Sequence, residues 1–592
     1  MPVFASSFTK ELRTNHVPSL RDRGYIQSLL IEPRKRLSEM NSKISELERS
    51  LNELKRERDI LEEEIEQHAL LLTPFRRLPD DMLREIFIAC LPDDRNAIMS
   101  YRKAPLLLGL VCRKWRALAY STPALWASLH IPYPVRAIVP HGIPGINQHH
   151  IQVHVKTDRL EKHYTAVKDW LIRSGACPLS ISFSCMHLES AGQDDDVLNE
   201  AVHTYVSILL GFSHRWRSLE LFIPPGRHLN RIGDLPETSV PNLKHLRLIF
   251  SRSMGDSLSS QWRSSPLLKT PTLKSLHISC IPFRLSSVPN NWDHLTSLTL
   301  TNGNSTVFSQ PSIRNMASIE EAYAIFNMCW RLVHCALDII DGPTAVSLSG
   351  VISLPNLKSL SIVDSCNRLS TLFECFANMS SIRGISYYSK LRPSNNRKSP
   401  LVALLARTDQ RIEFLQLDSS HFTLADIITI FDLAPNVINF IETYTSREIS
   451  QDFFHTLRPR NILLPDSFSF HKAFLDLLVK PRSNGGMYFP RLESLHLEKL
   501  CKLADKDIIS FLQRRMEESS GNGSIVPLQR MSISLLLNPE EVDIAAQLSA
   551  YPSLKVKIGR PTQPPRPSSK PTIIPEIGCI VRPIPAMILA LD

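Results

Sequence analysis

The sequence predicts an α/β solenoid with parallel strands, preceded by a small all-α module and an N-terminal heptad-patterned coiled-coil helix. Three observations carry this reading. A strand signature, L-x-x-L-x-L, recurs between about residues 180 and 558. Two amphipathic helical stretches lie between residues 74 and 126, and from Leu37 the apolar residues step alternately by three and four. With 592 residues, 43% hydrophobic content and a net charge of +10, the chain can bury real cores and is neither wholly disordered nor collagen-like. At roughly 150 residues per domain, two to four domains fit. Its 42 Pro against 20 Gly disfavour folds that need several glycine phosphate loops.

The N-terminal element is a heptad seam. Leu37, Ile44, Leu51, Arg58, Ile65 and Leu72 form one row, and Met40, Leu47, Leu54, Leu61 and His68 form the other. Pro33 is expected to set the start and Thr73-Pro74 the end, giving a helix over 34–73 after a disordered or irregular stretch 1–33. Such a stripe pairs two copies as a homodimer, recruits a partner helix, or lies along its own chain. Nothing in the pattern identifies the mate.

Residues 74–126 read as two or three short helices. Leu78, Met82, Leu83, Ile86, Phe87 and Leu91 recur at helical spacing after the helix start Leu78-Pro79-Asp80-Asp81. Leu107, Leu110, Val111, Trp115 and Leu118 form a second apolar side. So small a module buries little surface alone, and an exposed apolar face seeks a partner. The succession Leu78-Pro79-Asp80-Asp81-Met82-Leu83, Glu85-Ile86-Phe87, Leu91, Leu110-Val111-Cys112-Arg113-Lys114-Trp115-Arg116 and Pro123-Ala124-Leu125-Trp126 resembles the F-box family. The resemblance implies docking on the Skp-family adaptor of a cullin–RING ubiquitin ligase through Leu78, Pro79, Leu83, Ile86, Phe87, Val111 and Trp115. The segment Pro92 to Lys103 is longer than the family's usual connection.

From 181 to 558 the repeat is explicit: PNLKHLRL at Pro241, PTLKSLHI at Pro271, HLTSLTL at His294, PNLKSLSI at Pro355 and PRLESLHL at Pro490, with weaker copies at Trp216, Arg331, Arg411, Pro435 and Pro527. First anchors at 216, 243, 273, 295, 332, 357, 412, 437, 492 and 528 give a period near 27, and two gaps of 55 are expected to hide degenerate repeats. This is the leucine-rich-repeat signature, in which no strand buries its apolar side until a neighbour stacks on it. The consensus Asn after the third Leu is absent, so the solenoid should be irregular. Residues 127–180 are expected to link into the first repeat. The order helix, F-box, repeats also resembles large fungal F-box families with leucine-rich repeats, which implies a substrate receptor. Residues flanking the middle Leu point to the concave face. His245, Arg247, His277, Phe414, Gln416, His496 and Arg530 are therefore the candidate contacts for an unknown protein substrate.

Other chemistry is weakly signalled. Gly255-Asp256-Ser257-Leu258 resembles the GDSL esterase motif, and Asp418 with His421 supplies a D-x-x-H, but both fall at ends of repeat strands. No GxxxxGK[ST], GxGxxG, HExxH or EF-hand spacing occurs. The expectation is a non-enzyme without cofactor or metal. Basic residues interspersed with acidic ones argue against nucleic acid despite a pI near 9.0. The longest apolar run, Leu106 to Cys112, is far from the 18 needed for a membrane span. Eleven cysteines without CxxC, and a start lacking an apolar signal core, point to reduced thiols in the cytoplasm and/or nucleus. Residues 559–592, Pro-rich, read as a disordered tail.

Overall fold

The chain is seen in a computed structural model that describes residues 8, 10–12, 14–72, 74–132, 157–185, 195–223, 227–250, 265–279, 292–301, 317–342, 348–391, 399–443, 468–479, 487–500, 505–521, 525–535, 551 and 554–559. They form two compact units, residues 1–85 and 86–592.

The first unit is dominated by α1 (Leu20–Leu71), a helix of 52 residues, about 78 Å long at 1.5 Å per residue. It starts fourteen residues ahead of the expected position, residue 34, and runs through Pro33. The physical reason is the start signal at Ser19: its Oγ accepts the Asp22 N–H (3.3 Å) while Asp22 Oδ2 accepts the Ser19 N–H (3.3 Å). That reciprocal cap fixes the first turn, and the helix continues through Pro33, which supplies no backbone donor there. Leu20–Glu32 is thus helical, not irregular. A 3-10 turn, Pro74–Arg77, leads to α2 (Asp80–Ala89), whose first turn carries Asp80 and Asp81 at the positive end of the dipole.

In the second unit α3 (Leu108–Val111) and α4 (Arg113–Tyr120) precede a single sheet. Its strands are β1 (Ser128–Pro132), β2 (Leu179–Ser184), β3 (Trp216–Ile223), β4 (His245–Phe250), β5 (Ser275–Ser279), β6 (Ser297–Thr301), β7 (Ala317–Ser318) and β8 (His334–Ile340). They continue as β9 (Ser359–Ser365), β10 (Gly384–Ser389), β11 (Phe414–Leu417), β12 (Asn439–Glu442), β13 (Ser494–Leu500), β14 (Arg530–Leu535) and β15 (Lys555–Gly559). Neighbours in sequence are neighbours in the sheet and every pairing is parallel, except that the short β7 sits off the path beside β8. That is a solenoid-like sheet, as the repeat demands.

The repeat's letters now have causes. The three leucines of each copy, such as Leu243, Leu246 and Leu248, are buried and stack on the equivalent residues of the next strand. The leading proline sits second in a tight turn. Leu243 N–H donates to the Val240 carbonyl across Pro241 (3.1 Å), and the same bond spans Pro271, Pro355 and Pro490. Proline presets the backbone angle that this turn position requires.

The first gap of 55 does hide a strand, β10, with Ile382, Ile385 and Tyr387 in the leucine positions. Among the described residues the second holds none: β12 pairs directly with β13, Asn439 opposite Ser494. A helix, Phe468–Val479, lies in that gap instead. The sheet also begins earlier than expected, because β1 lies within the stretch taken as a linker. Five residues, SLHIP, are too short to stand out, but Leu129 and Ile131 are buried and β2 completes the pairing. Apart from Gly559, the expected tail lies outside the described residues. Among the described residues no helix is long and apolar enough to cross a membrane.

Candidate functional site: a helical docking face and two polar rows on the sheet

The helical module is built around aromatic residues. Phe87 packs on Trp115 (ring centroids 4.8 Å apart), and Trp126 meets Trp170 edge-on at 4.8 Å while donating its Nε1–H to the Ala119 carbonyl (3.0 Å). Between α3 and α4 the chain turns at Cys112, which is extended and accepts the Trp115 N–H on its Sγ (3.4 Å). Arg116 Nε donates to the Gly109 carbonyl (2.7 Å) and clamps the corner. Leu108, Gly109, Leu118 and Ala119 are buried, which turns Leu107, Leu110 and Val111 outward. Spaced i, i+3, i+4, these three share one face and are 43, 58 and 57% exposed.

Of the seven adaptor contacts read from the sequence, Pro79 and Val111 are exposed and Leu78, Ile86 and Trp115 are half-buried. Leu83 and Phe87 are buried and offer no surface. They sit one helical turn apart on α2, and Phe87 anchors the module through Trp115. Leu107 and Leu110 present more surface than either. The signal that separates the two groups is which side of each short helix carries the aromatic contacts, and sequence alone does not give it.

The long segment after α2 has a structural use. Asn96 is buried, donates to Ser182 Oγ (3.0 Å) and accepts from Ser128 Oγ (3.1 Å), while the His130 N–H donates to the Ala97 carbonyl (2.7 Å). Ile98 thereby forms a parallel bridge to His130. The segment covers the open edge of β1, which would otherwise present unpaired backbone groups.

The residues flanking each middle leucine fall into two in-register rows. One runs Ser218, His245, Ser275, Ser297, His334, Ser359, Gly384, Phe414, Asn439, Ser494, Arg530. The other runs Glu220, Arg247, His277, Thr299, Ala336, Ser361, Ser386, Gln416, Ile441, His496, Ser532. All seven substrate candidates are therefore on the face where their spacing put them. Their accessibility differs: His245 and Arg530 are exposed, Arg247, His277, Gln416 and His496 half-buried, and Phe414 buried.

Burial and neighbours set the charges. Burial lowers the Arg247 guanidinium below its ordinary value, while Glu220 beside it works the other way. Burial, then Arg247, lowers His277 to about 3, so its imidazole is neutral at physiological pH, and Nε2 meets Ser279 Oγ at 2.8 Å. His334 Nδ1 meets Ser359 Oγ (2.7 Å), and Ser386 Oγ donates to Gln416 Oε1 (3.0 Å). Much of the central face is thus hydrogen-bonded to itself. Lys555 and Lys557 extend the two rows past Arg530 and Ser532 and are exposed, a continuation not recognised in the sequence.

Of the esterase-like pieces, Gly255 to Leu258 lie outside the described residues. Asp418 is buried with Oδ2 3.9 Å from His421 Nε2, and His421 Nδ1 donates to the Leu391 carbonyl (2.7 Å). Among the described residues no group of three or more His, Cys, Asp and Glu side chains is placed to hold a metal ion. Cys185 and Cys329 are buried thiols, each pushed up to about 12 by burial.

Residues 75–132 match the model of the F-box-like family, so the chain carries an F-box-like domain spanning α2 to β1. No curated protein matches the chain in sequence. Among solved structures, a chain in the crystal structure of the Rad7 and Elc1 complex in yeast aligns at 14% identity over 68% of this chain and 88% of its own, with a TM-score of 0.28. A superposition that loose carries nothing over to this chain.

Proposed function

We propose that the chain is the substrate-recognition subunit of an SCF-type cullin–RING ubiquitin ligase. The F-box-like domain docks on a Skp-family adaptor, and the polar rows of the leucine-rich-repeat sheet receive a target protein. The F-box-like match at 75–132 carries this reading. The exposed Leu107, Leu110 and Val111 support it, because an apolar row on so small a module has surface to gain from a partner. Pro79 and the half-buried Leu78, Ile86 and Trp115 are the accessible members of the remaining contact set. The chain itself makes and breaks no bond. It raises the local concentration of a target at an enzyme elsewhere in the assembly, in the cytoplasm and/or nucleus.

Co-precipitation of the full chain with a Skp-family adaptor tests this, comparing wild type with Leu110→Asp/Val111→Asp. Capture by wild type and loss in the variant is expected, whereas no capture by wild type refutes it. That same failure would leave a scaffold outside any ligase as the reading, since the helix and the sheet need no adaptor to bind proteins.

A further inference from the structure

The heptad stripe of α1 faces solvent along its length: Leu37, Met40, Ile44, Leu47, Leu51, Leu54, Leu61, Ile65 and Leu72 are each 50–70% exposed. We propose that a second copy of this chain covers it, running antiparallel, with Leu51 facing the partner's Leu54. The choice of occupant and direction comes from charge.

From 34 to 50 the helix has five basic and three acidic residues, and from 51 to 68 three basic and seven acidic. One end is net positive and the other net negative. Reversing one helix lays each end on its opposite, and aligning the helices in parallel stacks like on like. The flanking positions repeat the argument residue by residue. In the antiparallel pair Lys43 meets the partner's Glu64 and Glu48 meets the partner's Lys55, each contact occurring twice by symmetry, and no like charges face each other. In the parallel pair Lys43 meets the partner's Glu48, but Glu57 meets the partner's Glu62, a repulsion occurring twice.

The polar interruptions of the seam point the same way. A parallel pair would place Arg58 on the partner's Arg58 in the seam. The antiparallel register sets Arg58 beside the partner's Leu47, where its aliphatic stem packs and its guanidinium reaches water, near Asp59 and Glu62 of its own helix. Likewise His68 faces the partner's Leu37. The remaining layers are apolar: Ile44 on the partner's Leu61 and Ile65 on the partner's Met40. The chains then leave the pair at opposite ends, their Leu71 residues about 56 Å apart along the axis.

Sedimentation of the full chain at tens of micromolar, without any adaptor, reads this independently of the ligase assignment. Wild type should be a dimer and Leu51→Glu/Leu54→Glu a monomer. Glu64→Lys turns two attractive contacts per dimer into two repulsive ones and should raise the dissociation constant on the order of tenfold. Adding Lys43→Glu should bring it back to within about threefold. In a parallel pair Glu64 faces only the partner's Ala69, so Glu64→Lys would change little, and adding Lys43→Glu would set a glutamate against the partner's Glu48 and weaken the dimer instead of restoring it. A monomeric wild type, a dimer that survives the Leu51/Leu54 change, or a dimer indifferent to Glu64→Lys each overturns the proposal.

Discussion

Truncating Leu110 and Val111 to alanine separates docking from folding. Fully burying a Leu or Val side chain is worth about 1.5–3 kcal/mol. These two residues are 58 and 57% exposed, so docking can recover a little over half of that for each, about 2–3 kcal/mol together. Alanine retains its Cβ, which leaves a loss of about 2 kcal/mol, or roughly 30-fold in Kd. The fold should not notice, since the Arg116 to Gly109 bond and the buried Leu108 and Leu118 keep α3 in place. Phe87→Ala is the opposite case. Phe87 is fully buried against Trp115, and its truncation should cost about 3–5 kcal/mol of stability. Calorimetric titration of the full chain with a Skp-family adaptor, paired with thermal melts, reads both quantities. An adaptor affinity unchanged within twofold in Leu110→Ala/Val111→Ala would refute this docking face, and a normal melt for Phe87→Ala would refute its role as an anchor.

Three further outcomes follow from single sites. Glu442 stands in the buried row of third leucines, accepts the Ser419 N–H (3.0 Å), and is held well above its ordinary 4.5 by burial. A raised folded pKa stabilises fully below 4.5 and is lost as pH rises toward the folded value, so Glu442→Gln should gain on wild type by up to about 1.4 kcal/mol per pH unit above 4.5 in denaturant titrations; a flat difference between pH 5 and 7 contradicts it. Asn96→Ala removes one hydrogen bond from each of Ser128 and Ser182, which keep Ala97 N–H and His130 Nδ1 as partners, and should cost about 1–3 kcal/mol, with faster amide exchange across Ser128–Pro132; unaltered exchange there would mean the segment does not protect β1. Arg530→Glu should weaken capture of an identified target more than Arg247→Glu does, measured by pull-down; the reverse order would place the contact at the centre of the face.

The solenoid was legible because its leucines repeat a physical demand at every strand. A parallel sheet with one buried side needs Leu or Ile at alternate positions, and a tight turn before it favours proline. The repeat signal weakens where that demand is met by other residues. In β10 the third position is Tyr387, whose hydroxyl donates to Asp364, and in β12 it is Glu442, bonded to Ser419. Both are polar letters in an apolar row, acceptable because the neighbouring strand β9, or the turn that follows β11, supplies a partner. The extension of α1 across Pro33 was hidden for a related reason: the deciding contact is Ser19 with Asp22, fourteen residues before the proline that appeared to set the boundary.

The candidate site was legible in position but not in availability. Spacing placed Arg247 and Arg530 on the same face, and the register puts both there. Spacing could not show that Arg247 is flanked by Glu220 and His277 on adjacent strands, so that its charge is partly answered and its surroundings half-dry. Reversing that charge disturbs an internal arrangement before it touches any target. Arg530 is exposed, with Lys555 beside it in the same row and Lys557 two residues further along β15 in the neighbouring one. Three exposed cations on adjoining strands form a field that an acidic segment of a target can use with little desolvation of buried groups. A face assembled from unremarkable serines therefore has its recognisable chemistry at its C-terminal strands, where the repeat signal is weakest.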